Sequence, residues 1–125
     1  MAELNVTVVA VDRSVWSGTA RSVVVKTTEG DMGILPGHEP VLALLRDGVA
    51  RIEAADGSSV RVAVAGGFFA VDSDRVSVLA ERAMLATEVD VDATRRALAA
   101  AKEAQDVKRQ LELEAHIEAA VGVLH

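Results

Sequence analysis

Residues 50–64 read ARIEAADGSSVRVAV, two runs of alternating apolar and polar residues joined by an Asp-Gly pair at 56–57. A period of two is that of a β-strand with one buried face. Asp-Gly is among the preferred turns between two antiparallel strands. The stretch therefore predicts a β-hairpin with one face in a core and the other in water.

Further strand-like runs lie on both sides of this hairpin. Residues 4–11 and 21–27 are rich in β-branched residues, and a short extended piece is expected at 15–18 after a turn at 12–14. Residues 41–45 and 68–71 are shorter runs, and residues 75–78 alternate again in what we expect to be the last strand. Many short strands separated by turn signals predict an antiparallel β-sandwich or barrel.

The sequence changes character near Thr87. The remainder is rich in alanine, which favours helix, with Asp90 or Asp92 as one N-cap and Asp106 as a second. We expect two short antiparallel helices, with one continuous helix as the alternative because no obligatory breaker separates them. The chain thus divides into a sandwich domain at 1–86 and a helical hairpin at 87–125.

Composition excludes several classes of function. The 125 residues carry a net charge of −6 and contain no cysteine. Without a basic patch, nucleic acid is not expected as a partner, and without cysteine neither disulfides nor thiolate metal sites are available. No signal peptide or membrane-spanning run is visible in the sequence.

A glycine- and proline-rich segment at 29–40, EGDMGILPGHEP, reads as a shaped, non-helical loop. Its side chains lack the spacing of a metal or acid–base site, so no catalytic or metal-binding residue is expected. His116 and His125 are expected to be solvated. From the residues alone, the chain is a non-enzymatic interaction protein whose segment 29–40 is a packing corner or a docking surface.

The order of four motifs resembles the ε subunit of bacterial F-type ATP synthase. They are the opening LNVTVVAVDR with VWSG at 15–18, the loop GDMGILPGHEP at 30–40, AGGFFAV at 65–71 and VSVLA at 76–80. The resemblance implies a β-sandwich of about ten strands followed by a C-terminal two-helix hairpin.

The same resemblance implies a function and partners. The chain would be a non-catalytic rotor subunit at the foot of the central stalk, without a cofactor, coupling proton-driven rotation to ATP synthesis. It would bind the γ subunit and the ring of c subunits, and meet the membrane only through that ring, on the cytoplasmic face of the plasma membrane. The residues expected to contact γ and the ring are Glu29, Gly30, Asp31, Gly33, Ile34, Leu35, Pro36, Gly37 and His38.

In this family the C-terminal helices can extend to meet the α and β subunits and restrain ATP hydrolysis, and in longer members the first helix is associated with ATP binding through Ile/Leu-Asp-x-x-Arg-Ala. Here VDATRR at 91–96 departs from that motif at its last position. The resemblance therefore implies at most weak contact with ATP as a regulatory ligand, through Asp92, Arg95, Arg96, Lys108 and Arg109. The alternatives are a free-standing nucleotide sensor that uses these residues, and an unrelated hydrolase or sugar-binding sandwich.

Overall fold

A computed structural model describes residues 2–121. Nine β-strands precede two helices, and a short 3₁₀ turn at Ala86–Glu88 joins the two parts. The strands are β1 Leu4–Ala10, β2 Arg13–Thr27, β3 Gly30–Ile34, β4 Val41–Leu44, β5 Gly48–Ala54, β6 Ser59–Ala65, β7 Phe68–Asp72, β8 Arg75–Ala80 and β9 Arg82–Leu85; the helices are α1 Val91–Glu103 and α2 Val107–Val121. The sandwich followed by two helices confirms the predicted fold class.

The strand order is β4-β7-β8-β1-β2-β5-β6-β9, and β3 pairs with β2 alone. All these pairs are antiparallel except β1 with β8. The long strand β2 pairs with β1 through its first half and with β3 and β5 through its second half. It therefore links two groups of strands, which enclose one apolar core built mainly of valine.

Three details of the predicted strands are wrong. Residues 13–27 form one strand of 15 residues rather than a turn, a short piece and a second strand, because β1 pairs with the segment around Gly18 and keeps it extended. Segment 29–40 is not one loop, since its first half is β3. The run at 75–78 is not the last strand, because it belongs to β8 and β9 follows it.

The hairpin at 50–64 is confirmed as β5 and β6. Its outer face is only partly in water, since Val49 and Ala63 are buried beneath Ala115 and Ala119 of α2. The expected two helices are also confirmed, and the alternative of one continuous helix is wrong. Asp90 caps α1 by accepting a hydrogen bond from the Ala93 N–H at 3.0 Å.

The chain reverses between the helices at Gln105, which has a φ of 58°. Asp106 then caps α2 by accepting a bond from the Arg109 N–H at 3.0 Å. Helix α1 packs mainly on α2, so α2 is the element that attaches the hairpin to the sandwich. His125, which was expected to be solvated, lies outside the described residues.

Candidate functional site

The turn between β2 and β3 is fixed by a buried threonine. Thr27 is 2% exposed, and its hydroxyl donates to the Gly30 carbonyl at 2.7 Å while accepting from the Glu29 N–H at 3.1 Å. Gly30 has a φ of 121°, which side-chain-bearing residues rarely adopt. The exposed carboxylates of Glu29 and Asp31 therefore project from a constrained turn. Sequence reasoning did not predict a role for Thr27, because its pairing with Gly30 is seen only in the structure.

The other half of the segment is a loop at 35–40, which an aspartate of the β7–β8 turn holds in place. The Gly37 N–H donates to the Asp74 carboxylate at 2.7 Å, and the His38 N–H donates to the Leu35 carbonyl at 3.1 Å. The Asp74 carbonyl also accepts the Asn5 N–H at 2.8 Å. One residue thus connects the loop to the start of β1.

These two halves lie at opposite ends of β4. The Thr28 N–H donates to the Leu44 carbonyl at the end of β4, whereas the loop precedes Val41 at its start. Glu29 and Asp31 are therefore separated from His38. Within residues 2–121 no three histidine or carboxylate side chains are arranged to hold a metal ion.

An exposed apolar row crosses the sandwich on the outer face of β4, β7, β8 and β1. Leu44 is opposite Phe68, Phe68 is opposite Leu79, and Leu79 is opposite Val9. Leu44 is 63% exposed and Phe68 41% exposed. Leu42, in the next row, is 70% exposed. Sequence reasoning missed this surface, although leucine at two alternate positions of β4 was a visible signal of it.

The five residues expected to contact a nucleotide do not converge. Asp92, Arg95, Arg96 and Lys108 are exposed on the hairpin, and only Arg109 lines a cleft of about 590 Å³ between the hairpin and β9. Two further arginines of the sandwich, Arg13 and Arg82, also line this cleft.

The arginines of this cleft are already paired with carboxylates. Arg13 donates to both oxygens of Glu88, at 2.8 and 3.0 Å, and with the Leu85 N–H it lowers the pKa of Glu88 to about 2. Arg82 and Arg109 both contact Glu112, at 2.6 and 3.0 Å. The positive charge that a phosphate would need is therefore largely compensated within the protein.

His116 also lines the cleft and is half-buried rather than solvated as predicted. Burial lowers its pKa, an effect that Arg109 and Arg82 reinforce and Glu112 opposes. The imidazole is therefore held in its neutral form more strongly than in water.

Two comparisons identify the family. Residues 3–86 match the family model for the ATP synthase delta/epsilon chain, β-sandwich domain. The chain is also 50% identical over 109 residues to the ATP synthase epsilon chain of Streptomyces griseus, covering 87% of this chain and 88% of that one. The chain belongs to the ATP synthase epsilon family. The resemblance that its motifs suggested is thereby confirmed.

Other epsilon chains extend this similarity over nearly the whole length. The one from Streptomyces coelicolor is 44% identical over 121 residues, 97% of this chain and 98% of that one. The one from Rhodococcus opacus is 50% identical over 100 residues, 79% of this chain and 82% of that one. The hairpin is therefore part of what the Streptomyces coelicolor epsilon chain shares with this chain.

Two solved structures share the fold. A chain of the Euglena gracilis mitochondrial ATP synthase, OSCP/F1/c-ring, superposes with a TM-score of 0.74 at 24% identity, covering 94% of this chain and 77% of that one. A chain of the Tetrahymena thermophila mitochondrial ATP synthase central stalk and c-ring gives 0.61 at 16% identity, covering 94% and 96%. Neither helix of the described residues is long and apolar enough to cross a lipid bilayer.

Proposed function

We propose that this chain is a non-catalytic rotor subunit of a proton-transporting F-type ATP synthase. It joins the central stalk to the c-ring, so that rotation of the ring reaches the sites of ATP synthesis. The observation that carries this proposal is the 50% identity to an ATP synthase epsilon chain over 109 residues. As part of that complex, the chain is peripheral to the membrane, on the cytoplasmic face in a bacterium.

The exposed apolar row is the surface that we assign to the γ subunit. Monomeric proteins seldom leave a contiguous apolar patch uncovered without a binding function. Leu44, Phe68 and Leu79 lie on strands rather than loops, and strand pairing of β7 with β4 and β8 fixes their positions. A rigid apolar surface suits a permanent contact that has to transmit torque, because little energy is lost in deforming it.

The β2–β3 turn is the part that we assign to the c-ring. Its exposed carboxylates, Glu29 and Asp31, suit the polar loops of a membrane ring, and the Thr27 hydroxyl holds the turn rigid. His38 lies at the other end of β4, so we assign the loop at 35–38 to the stalk side.

Disulfide cross-linking in the assembled complex tests both assignments, since the chain has no cysteine of its own. We expect Asp31→Cys to cross-link to a cysteine in a polar loop of a c subunit, and Leu44→Cys to cross-link to γ. Ser58→Cys, in the exposed β5–β6 turn, is the matched control and should cross-link to neither. Leu44 lies at the same end of β4 as the turn, so orientation is tested with His38→Cys: capture of c by His38→Cys, but not by Asp31→Cys, would reverse the orientation. Failure of the chain to co-purify with γ and c would refute the rotor role itself.

The alternative, a nucleotide sensor, is disfavoured by the cleft. The arginines of the cleft are paired with Glu88 and Glu112. A phosphate would have to displace these carboxylates or compete with them for the same guanidinium groups. We therefore propose that ATP binds weakly or not at all. Calorimetric titration of the isolated chain tests this, and a dissociation constant in the micromolar range would favour the sensor.

A further inference from the structure

Helix α2 lies on the outer face of the sandwich through small side chains. The apolar contact comprises Val49 and Ala63 on the sheet and Ala115 and Ala119 on the helix, flanked by Ala86. Alanine removes little apolar area from water compared with leucine or phenylalanine. Apolar burial within this cluster is therefore modest; the larger side chains of α2 that are buried, Leu113 and Ile117, do not belong to it.

Charge pairs lie at both ends of the same contact. Towards β9, Glu112 is 2% exposed, and each of its oxygens contacts a different arginine, Arg82 of β9 and Arg109 of its own helix. Towards β2, Glu118 pairs with Lys26 at 3.2 Å. Among residues 2–121, Glu112 is the one ionisable side chain that is buried.

A glycine allows the second pair to form. A side chain at Gly48 would collide with the Cδ of Lys26, which a Cβ would approach to 2.6 Å. The Lys26 stem therefore runs over Gly48 to reach Glu118, and the sheet is shaped to admit a charge contact with α2.

We propose that charge pairs, with Glu112 as the deciding residue, hold the helical hairpin on the sandwich, so that losing the Glu112 charge releases both helices while the sandwich stays folded. A buried carboxylate that loses its compensating partners is costly, so the docked arrangement is specific to the position that satisfies both oxygens. Because α1 packs mainly on α2, it leaves together with α2. The inference concerns the isolated chain and does not depend on the rotor role.

Hydrogen–deuterium exchange of the full chain tests the proposal. In Glu112→Gln we expect the amides of α2 to exchange at least about tenfold faster, because the buried Glu112 loses its ion pairs with Arg82 and Arg109. The core strands β5 and β6 should stay far better protected than α2, since they exchange only through a larger opening that also unfolds the sandwich. The control is Glu114→Gln on the same helix, for which no ion pair is found within the described residues. It should leave α2 unchanged.

Glu112→Leu distinguishes ion pairing from apolar contact as the interaction that holds the hairpin on the sandwich. If apolar contact held the hairpin, leucine would strengthen the interface and slow the exchange of α2, whereas our proposal requires faster exchange. The fluorescence of Trp16, the single tryptophan, reports whether the sandwich is folded in each variant. Unchanged or slower exchange of α2 in both Glu112 variants, or strands that lose protection to the level of α2, would overturn the proposal.

Discussion

A single glycine controls how closely β7 approaches β8. Gly67 has a φ of 96°, and a Cβ at this position would run into the Leu79 carbonyl oxygen. The close approach is what brings Phe68 opposite Leu79 in the apolar row. Backbone conformation and backbone contact both exclude a side chain here, which explains the second glycine of the Gly-Gly pair at 66–67.

Gly67→Ala should therefore destabilise the sandwich by about 3 kcal/mol, as strain and overpacking add. Gly57→Ala is the matched control, because Gly57 has a similar φ of 93° but no atom within 4 Å of a Cβ. It should cost only about 1 kcal/mol, the price of a left-handed conformation. Urea unfolding followed by Trp16 fluorescence measures both values. Equal losses would mean that the contact with β8 is unimportant.

His116 makes stability depend on pH in a definite direction. Burial lowers its pKa in the folded chain, so between that value and the unfolded pKa of about 6.5 only the unfolded chain takes up a proton. Stability should fall as the pH drops below about 6.5. His116→Gln should remove this component, which urea midpoints at two pH values would reveal. If His116→Gln and the unmodified chain lost the same stability on acidification, His116 would not be the group responsible.

The strands and helices differ in how far the sequence could predict them. The β5–β6 hairpin and both helix caps were predictable because local alternation, Asp-Gly and capping aspartates agree with the final contacts. The break expected at 19–20, between the extended piece at 15–18 and the strand at 21–27, was wrong, since pairing of Asn5 with Thr19 and of Leu4 with Ala20 keeps β2 continuous. The burial of Glu112 was not predictable, because its partner Arg82 is 30 residues away in the sequence and adjacent only in the fold.

We expect the sandwich to fold without the hairpin. All nine strands precede Thr87, and they enclose the main core without the helices. A chain ending at Thr87 should keep a β-type circular dichroism spectrum and cooperative unfolding. It should lose about 1–2 kcal/mol, because Val49 and Ala63 become exposed. A disordered product would show that the hairpin is part of the folding unit.

The whole molecule combines a rigid sandwich with a weakly attached hairpin. The sandwich carries both surfaces that we assign to rotor partners, and the cleft and charge pairs belong to the junction with the hairpin. Torque can thus pass through the sandwich whatever the position of the helices. The fold and the family could be inferred from the first 80 residues because most of the sandwich lies within them. The attachment of the hairpin depends on contacts between distant residues, which only the structure reveals.

The last prediction concerns restraint of ATP hydrolysis by the hairpin. Within residues 110–121, α2 carries Glu112, Glu114 and Glu118 and no lysine or arginine, so this part of the helix would repel any acidic surface of the β subunit that it met. Extension would also break the pairs that Glu112 and Glu118 make with the sandwich. Both effects favour the docked hairpin.

We therefore expect only weak restraint. In the assembled complex, truncation after Asp106 should raise ATP hydrolysis by less than about twofold. Only the complexes whose hairpin is extended would be inhibited, and they are a minority. The control is a complex with the full chain, measured at the same subunit stoichiometry. Strong activation on truncation would mean that the charge on α2 does not govern the position of the hairpin in the complex.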